Sequence, residues 1–213
     1  MVEQSKGILP KLYLAVGKAA VGGGDFNGAL DKISKAAQLA EQFGDAESQA
    51  EAETVIPKVY VQQGSSLMKA GDLDGAVAAF EKAVQLGQTE IAGKQLSNIY
   101  VKKAAACQKA KDLKGAVEAA QKSVEYLDNP NAQKIIGLCS LSLKQNKVAA
   151  DALEAYLAMK PDAQDKVQII YQLGTALVAT GENGKACGYF KQIAQDAKWG
   201  EAARYQLTTL KCN

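Results

Sequence analysis

The chain has 213 residues, 47% of them apolar, with 25 basic and 23 acidic side chains and a net charge of +2. That balance excludes a disordered polypeptide and gives no general electrostatic reason to expect nucleic acid or an anionic membrane as partner. There is no histidine, so the commonest general base and metal ligand is missing, and no Ser-His-Asp or Cys-His arrangement can be built.

The start, Met1-Val2-Glu3-Gln4, lacks the features of a signal peptide. A natural start there predicts a cytoplasmic protein; a trimmed leader predicts a periplasmic or secreted one. The first periodic segment carries Tyr13 and Gly17 and runs into a Gly24-Asp25-Phe26 turn, after which Ala29 and Ile33 recur at helical spacing. The same order returns at Tyr60, Gly64, Gly71-Asp72-Leu73, Ala76 and Phe80. It returns again at Tyr100, Ala104, Lys111-Asp112-Leu113, Ala116 and Ala120. A fourth copy has Gln133, Gly137, Lys144-Gln145-Asn146, Ala149 and Leu153, and a fifth has Ile170, Gly174, Gly181-Glu182-Asn183, Ala186 and Phe190. A turn glycine closes one helix in the left-handed conformation, and the aspartate after it caps the next. A small residue on the first helix and a large one on the second predict an antiparallel hairpin with a bulky-into-small seam. Such a hairpin cannot bury its apolar stripe alone, so hairpins must stack.

Successive alanines lie 47, 40, 33 and 37 residues apart. The long first interval predicts lengthened helices around a Gly44-Asp45 turn, with Pro57 in the first turn of the next helix. Trp199 and the segment from 200 to 211 predict a helix capping the last hairpin. The repeats occupy approximately 8–44, 54–88, 94–128, 130–161 and 166–198, and no linker divides the chain, which reads as a single domain over 1–213.

These residues resemble the tetratricopeptide repeat family, whose pattern places an aromatic and small residues before a Gly-Asp-aromatic turn and an alanine and an aromatic after it. The first two repeats match well; the third, with Ala104, Lys111 and Ala120 in place of glycines and an aromatic, matches least. The resemblance implies an all-α fold, a right-handed α-α superhelix (solenoid) of about five hairpins plus a C-terminal capping helix. It implies a protein or peptide partner, no cofactor and no catalysis.

Other motifs carry little. Gly22-Gly23-Gly24 and Gly184-Lys185-Ala186 lack the strand, spacing and Ser/Thr of a phosphate-binding loop. Glu51-Ala52-Glu53 reads as a solvated helical face, and Tyr13, Tyr60 and Tyr100 recur at the repeat period and read as core. No segment reaches the about 20 apolar residues of a membrane span. None of the four cysteines forms a C-x-x-C pair. Cys107 and Cys139 read as small packing residues. Cys187 and Cys212 lie either side of Trp199 at nearly equal separations, so an antiparallel helix pair would bring them together. A disulfide there would require an oxidising compartment; two free thiols are the alternative.

In the family the first helix of each hairpin lines the concave face. The stripe opposite the seam contains Lys11, Lys18, Lys58, Val61, Lys69, Asn98, Val101, Lys109, Lys134 and Tyr171, and Leu14 also falls on it. It has lysines and no acidic residue, which points to an acidic or carboxyl-ended peptide with apolar side chains; a merely solvated face is the alternative. The family's chaperone-binding clamp of Lys/Asn/Asn/Lys/Arg would fall on Leu14, Lys18, Gln62, Asn98 and Lys102, and this set does not reproduce it. The leading expectation is a peptide-binding scaffold. The other is a structural or self-associating, envelope-associated accessory protein without a peptide site, and homo-oligomer formation stays open.

Overall fold

In the computed structural model, which describes residues 2–212, eleven helices account for the described secondary structure. They are α1 (Val2–Gly22), α2 (Phe26–Phe43), α3 (Ala46–Ala70), α4 (Leu73–Gln85), α5 (Thr89–Lys109), α6 (Leu113–Tyr126), α7 (Pro130–Ser142), α8 (Asn146–Met159), α9 (Lys166–Ala179), α10 (Asn183–Ile193) and α11 (Gly200–Thr209). The chain packs as two compact units, Met1–Leu96 and Ser97–Asn213, and the division falls inside α5. In the first unit α1, α2, α3 and α4 pack in chain order; in the second, α6 through α11 do the same.

The turns follow from local chemistry. Asp25, Asp72 and Asp112 each accept a hydrogen bond at 2.9 Å from the backbone N–H three residues on, at Gly28, Gly75 and Gly115. Each capping carboxylate occupies the space a Cβ on that glycine would need. In the fourth and fifth hairpins Gln145 and Glu182 make no such side-chain bond. The left-handed position falls to glycine at Gly24, Gly71 and Gly181, but to lysine at Lys111 (φ 64°) and Lys144 (φ 59°). A lysine there gives up about 1–2 kcal/mol of backbone energy, tolerated because the carbonyls of the closing helix still find their donors.

The seam is the element the repeat pattern encodes. A Cβ on Gly17 would lie 2.5 Å from Ile33, on Gly64 3.0 Å from Phe80, on Gly137 2.4 Å from Leu153 and on Gly174 2.6 Å from Phe190. All four large side chains are fully buried. The third hairpin substitutes Ala104 and Ala120, both fully buried. It adds a polar tie instead: Ser97 and Ser123 share a 2.9 Å hydrogen bond, Ser123 donates to the Ser97 carbonyl, and Asn129 donates to Ser97 Oγ. Tyr100 stacks on Tyr126 with centroids 5.9 Å apart. Of the tyrosines read as core, Tyr100 is buried and Tyr13 and Tyr60 are half-buried.

Two expectations need correction. Pro57 does not open a helix: α3 starts at Ala46, capped by Asp45 after the left-handed Gly44, and runs through Pro57. The Glu- and Ala-rich stretch before Pro57 propagates the helix strongly enough to absorb the one missing backbone hydrogen bond. Leu14 does not face a groove; it is 2% exposed and packs in the first unit's core with Ile33 and Val59.

At the C-terminal end α11 packs on α10. Trp199 packs against Tyr171 with tilted rings 4.9 Å apart, and Tyr171 meets Phe190 at 5.7 Å. Cys187 and Cys212 are joined by a disulfide, with Cα atoms 5.8 Å apart. Few α11 residues are buried, chiefly Gly200 and Ala203, so the covalent tie contributes much of what holds this helix in place.

Gly137→Ala therefore lowers unfolding stability by about 1–3 kcal/mol, since buried Leu153 has nowhere to move. Gly188→Ala, in the middle of α10 with open space around it, raises stability by about 0.5–1 kcal/mol; urea unfolding of the two variants gives opposite signs. Non-reducing peptide mapping recovers a Cys187–Cys212 peptide from oxidised protein, and Cys187→Ser lowers stability by about 3 kcal/mol.

Candidate functional site

Successive first helices leave a hollow between them in each unit. In the first, α1 and α3 enclose about 240 Å³ lined by Lys18, Val21, Val55, Lys58, Val59 and Gln62. In the second, α5 and α7 enclose about 320 Å³ lined by Val101, Ala105, Gln108, Asn131, Lys134, Ile135 and Leu138. Both share one construction, apolar side chains that, Ala105 apart, are wholly or partly buried, with lysine and amide side chains beside them. That suits an extended segment that buries side chains while its backbone meets amides.

Of the stripe read from the sequence, Lys18, Lys58, Val101 and Lys134 line these hollows. Lys11, Lys69, Asn98 and Lys109 are exposed on the first helices outside them, and Val61 is half-buried. Tyr171 sits in the aromatic cluster under Trp199. Val55, Val59, Gln62 and Ile135 also line the hollows. Their signal was helical spacing, since Val55, Val59 and Gln62 stand at i, i+4 and i+7 on α3.

The charge pattern differs from the one read along single helices. Lys11 donates to Glu47 at 3.1 Å, Lys18 pairs with Glu51, and Lys134 pairs with Asp165. Each acid belongs to the following first helix or the turn leading into it, so a stripe that lacks acids is partly neutralised by its neighbour. The long N-terminal half of α3 brings Glu47 and Glu51 into place; Glu51 is thus an ion-pair partner and not only part of a solvated face. A hydrogen bond to Glu47 and the charges of Glu47 and Asp45 raise the Lys11 ammonium above its ordinary pKa. Lys58, Lys69 and Lys109 have no ion-pair partner among the described residues.

Beside the second hollow lies a tighter arrangement. Tyr156 donates to Asp165 Oδ1 at 2.7 Å, Lys134 binds Oδ2, and the Lys134 ammonium lies 5.7 Å over the Tyr156 ring. Burial alone would raise the Asp165 carboxyl. Hydrogen bonds from Lys134 and Tyr156 and the lysine's charge outweigh it and hold the carboxyl below its ordinary value. Burial, the bond to Asp165 and its charge push the Tyr156 hydroxyl up to about 12. It is therefore a donor at any physiological pH, and Lys134 is held in one position at the edge of the hollow.

Residues 57–88, the second part of α3 with α4, match the family model described as tetratricopeptide repeat. That segment is a tetratricopeptide repeat. The glycine-on-bulky seam of that segment recurs in three of the other hairpins. Solved structures similar to the whole chain include MamA, at 18% identity over 97% of this chain and 98% of that one, with a TM-score of 0.41. The tetratricopeptide domain of P58(IPK) matches at 18% identity over 95% of this chain and 65% of its own length, with a TM-score of 0.47. YrrB, described as a protein of this type with an unusual peptide-binding site, matches at 17% identity over 91% and 90%, with a TM-score of 0.44. No curated protein matches the sequence. No described helix is long and apolar enough to cross a membrane, and no described cluster of His, Cys, Asp or Glu could hold a metal ion. Proteins of this repeat type bind proteins or peptides, and the fold is typically a non-catalytic scaffold.

Because Asp165 is held below its ordinary pKa, its contribution to stability is present above the ordinary carboxylate range and is lost as pH falls through it. Urea midpoints between neutral pH and about pH 3 therefore fall less steeply for Asp165→Asn than for the wild type.

Proposed function

We propose that the chain is a non-catalytic adaptor whose hollows between first helices each take an extended acidic or carboxyl-ended segment of a partner protein. The observation that carries this reading is the paired construction of the hollows, each with apolar walls and a lysine. Lys58 is the main anchor for an anionic group. It lines the first hollow without an internal acid, whereas Lys18 beside it is engaged by Glu51. Lys134 offers less, since Asp165 already occupies it, and acts mainly by shaping the second hollow. Lys11, Lys69 and Lys109 lie outside the hollows, where they favour the approach of an acidic chain more than its retention. Affinity rests on apolar side chains entering beside Val21, Val55, Val101 and Leu138.

The test is fluorescence anisotropy with a panel of labelled peptides, acidic and apolar with free carboxyl ends, against charge-reversed versions. Acidic peptides bind more tightly, their affinity falls with salt, and Lys58→Glu weakens them by about fivefold while leaving the circular dichroism spectrum unchanged. Equal binding of both peptide sets, or Lys58→Glu without effect on the best binder, would overturn the proposal.

A further inference from the structure

Asp165 stands at the N-cap of α9, yet its side chain does not cap that helix. At the starts of α2, α3, α4 and α6 the aspartate in this place accepts a backbone N–H of its own helix, the use that local chemistry favours. Asp165 instead turns its two oxygens to other helices, Oδ1 to the Tyr156 hydroxyl of α8 and Oδ2 to the Lys134 ammonium of α7. Lys134 is the one lysine among the described residues lining the second hollow. Counted from the small seam residue of each first helix, Lys18 and Lys58 of the first hollow correspond to Ala105 and Asn131 of the second, and Lys134 corresponds to Val61 on α3. The two hollows therefore differ in what an incoming carboxylate must displace. In the first, Glu51 engages Lys18 and leaves Lys58 open. In the second, no lining lysine is left over.

We infer that Asp165 is a built-in competitor that sets how strongly the second hollow takes an acidic segment: it occupies Lys134 as a ligand carboxylate would, and an incoming carboxylate binds by exchanging with it. The surroundings allow the exchange. The Asp165 side chain is 26% exposed and also lines the next hollow, of about 360 Å³, beside Gln164 and Gln168. Displaced from Lys134, it keeps its bond from Tyr156 and faces open space, so no charge is stranded in the core. Lys134 is 37% exposed, and its ammonium rests over the Tyr156 ring at the edge of the second hollow. A ligand carboxylate there gains one ion pair and gives up another, so its net gain is small. An apolar side chain beside Val101 and Leu138 displaces nothing and gains in full. The inference rests on the hollow being a peptide site, and it makes Asp165 the residue that lowers the charge preference of that site.

Fluorescence anisotropy on the full chain tests it, in a Lys58→Glu background that removes the anchor of the first hollow. The probes are a labelled acidic peptide with apolar side chains and its copy with amides in place of the carboxylates. Asp165→Asn keeps an acceptor for Tyr156 and removes the charge. It tightens the acidic peptide about threefold and leaves the amide peptide unchanged, a split that a merely structural effect does not produce. With Lys134→Gln also present, Asp165→Asn brings no such gain. An acidic-peptide affinity that Asp165→Asn leaves unchanged or lowers, or an equal gain without Lys134, overturns the inference while peptide binding stands. Failure of wild type and every variant to bind either peptide overturns the inference together with the reading on which it rests.

Discussion

A glycine set against a large buried side chain fixes how closely the two helices of a hairpin approach, and most of the structure depends on that distance. At Gly17, Gly64, Gly137 and Gly174 the partner occupies space that any Cβ would need. The approach carries the alanine that follows each turn into full burial, at Ala29, Ala76, Ala149 and Ala186. With the hairpin closed, its remaining apolar stripe turns toward the next hairpin, and successive first helices come side by side. The hollows between them follow from packing whose purpose is to bury alanine, isoleucine and leucine.

The third hairpin shows what replaces the seam when it is weak. Ala104 and Ala120 are too small to lock together by shape alone, since neither fills a gap left by the other. The buried Ser97–Ser123 pair and the Tyr100–Tyr126 stack supply directional ties in its place. A buried hydroxyl left alone would be costly, so the two serines stabilise only as a pair. Lys111 and Lys144 make a similar point at the turns: the hydrogen-bonded closure of the first helix, more than the identity of the turn residue, defines the joint.

The hairpins, their turns, the capping aspartates and the seam partners were all legible in the sequence, because each rests on spacing within one or two adjacent helices. What was not legible depends on side chains brought together from separate helices. Glu47 and Glu51 read as part of a charged, solvated stretch, yet each faces a lysine of α1. Asp165 lies in a turn and carries no periodic signal, but it organises Lys134 and Tyr156. Leu14 shows the converse error. On a wheel drawn for α1 alone it belongs to the open stripe, and its burial comes from a core it shares with Ile33 of α2 and Val59 of α3. Pro57 misled for another reason: a single lost hydrogen bond is a weaker constraint than a long run of good helix formers on either side.

The two ends of the repeat series are handled differently. At the C-terminal end α11 takes the place a further first helix would occupy, and its small buried area is reinforced by Trp199 packed against Tyr171 and by the disulfide. Helix α1 has no equivalent cover on Ile8, Leu12 and Val16 among the described residues. In a repeat series an uncovered end is the costly one: the equivalents of Leu12, at Val59, Ala132 and Ile169, are buried, while Leu12 itself meets water.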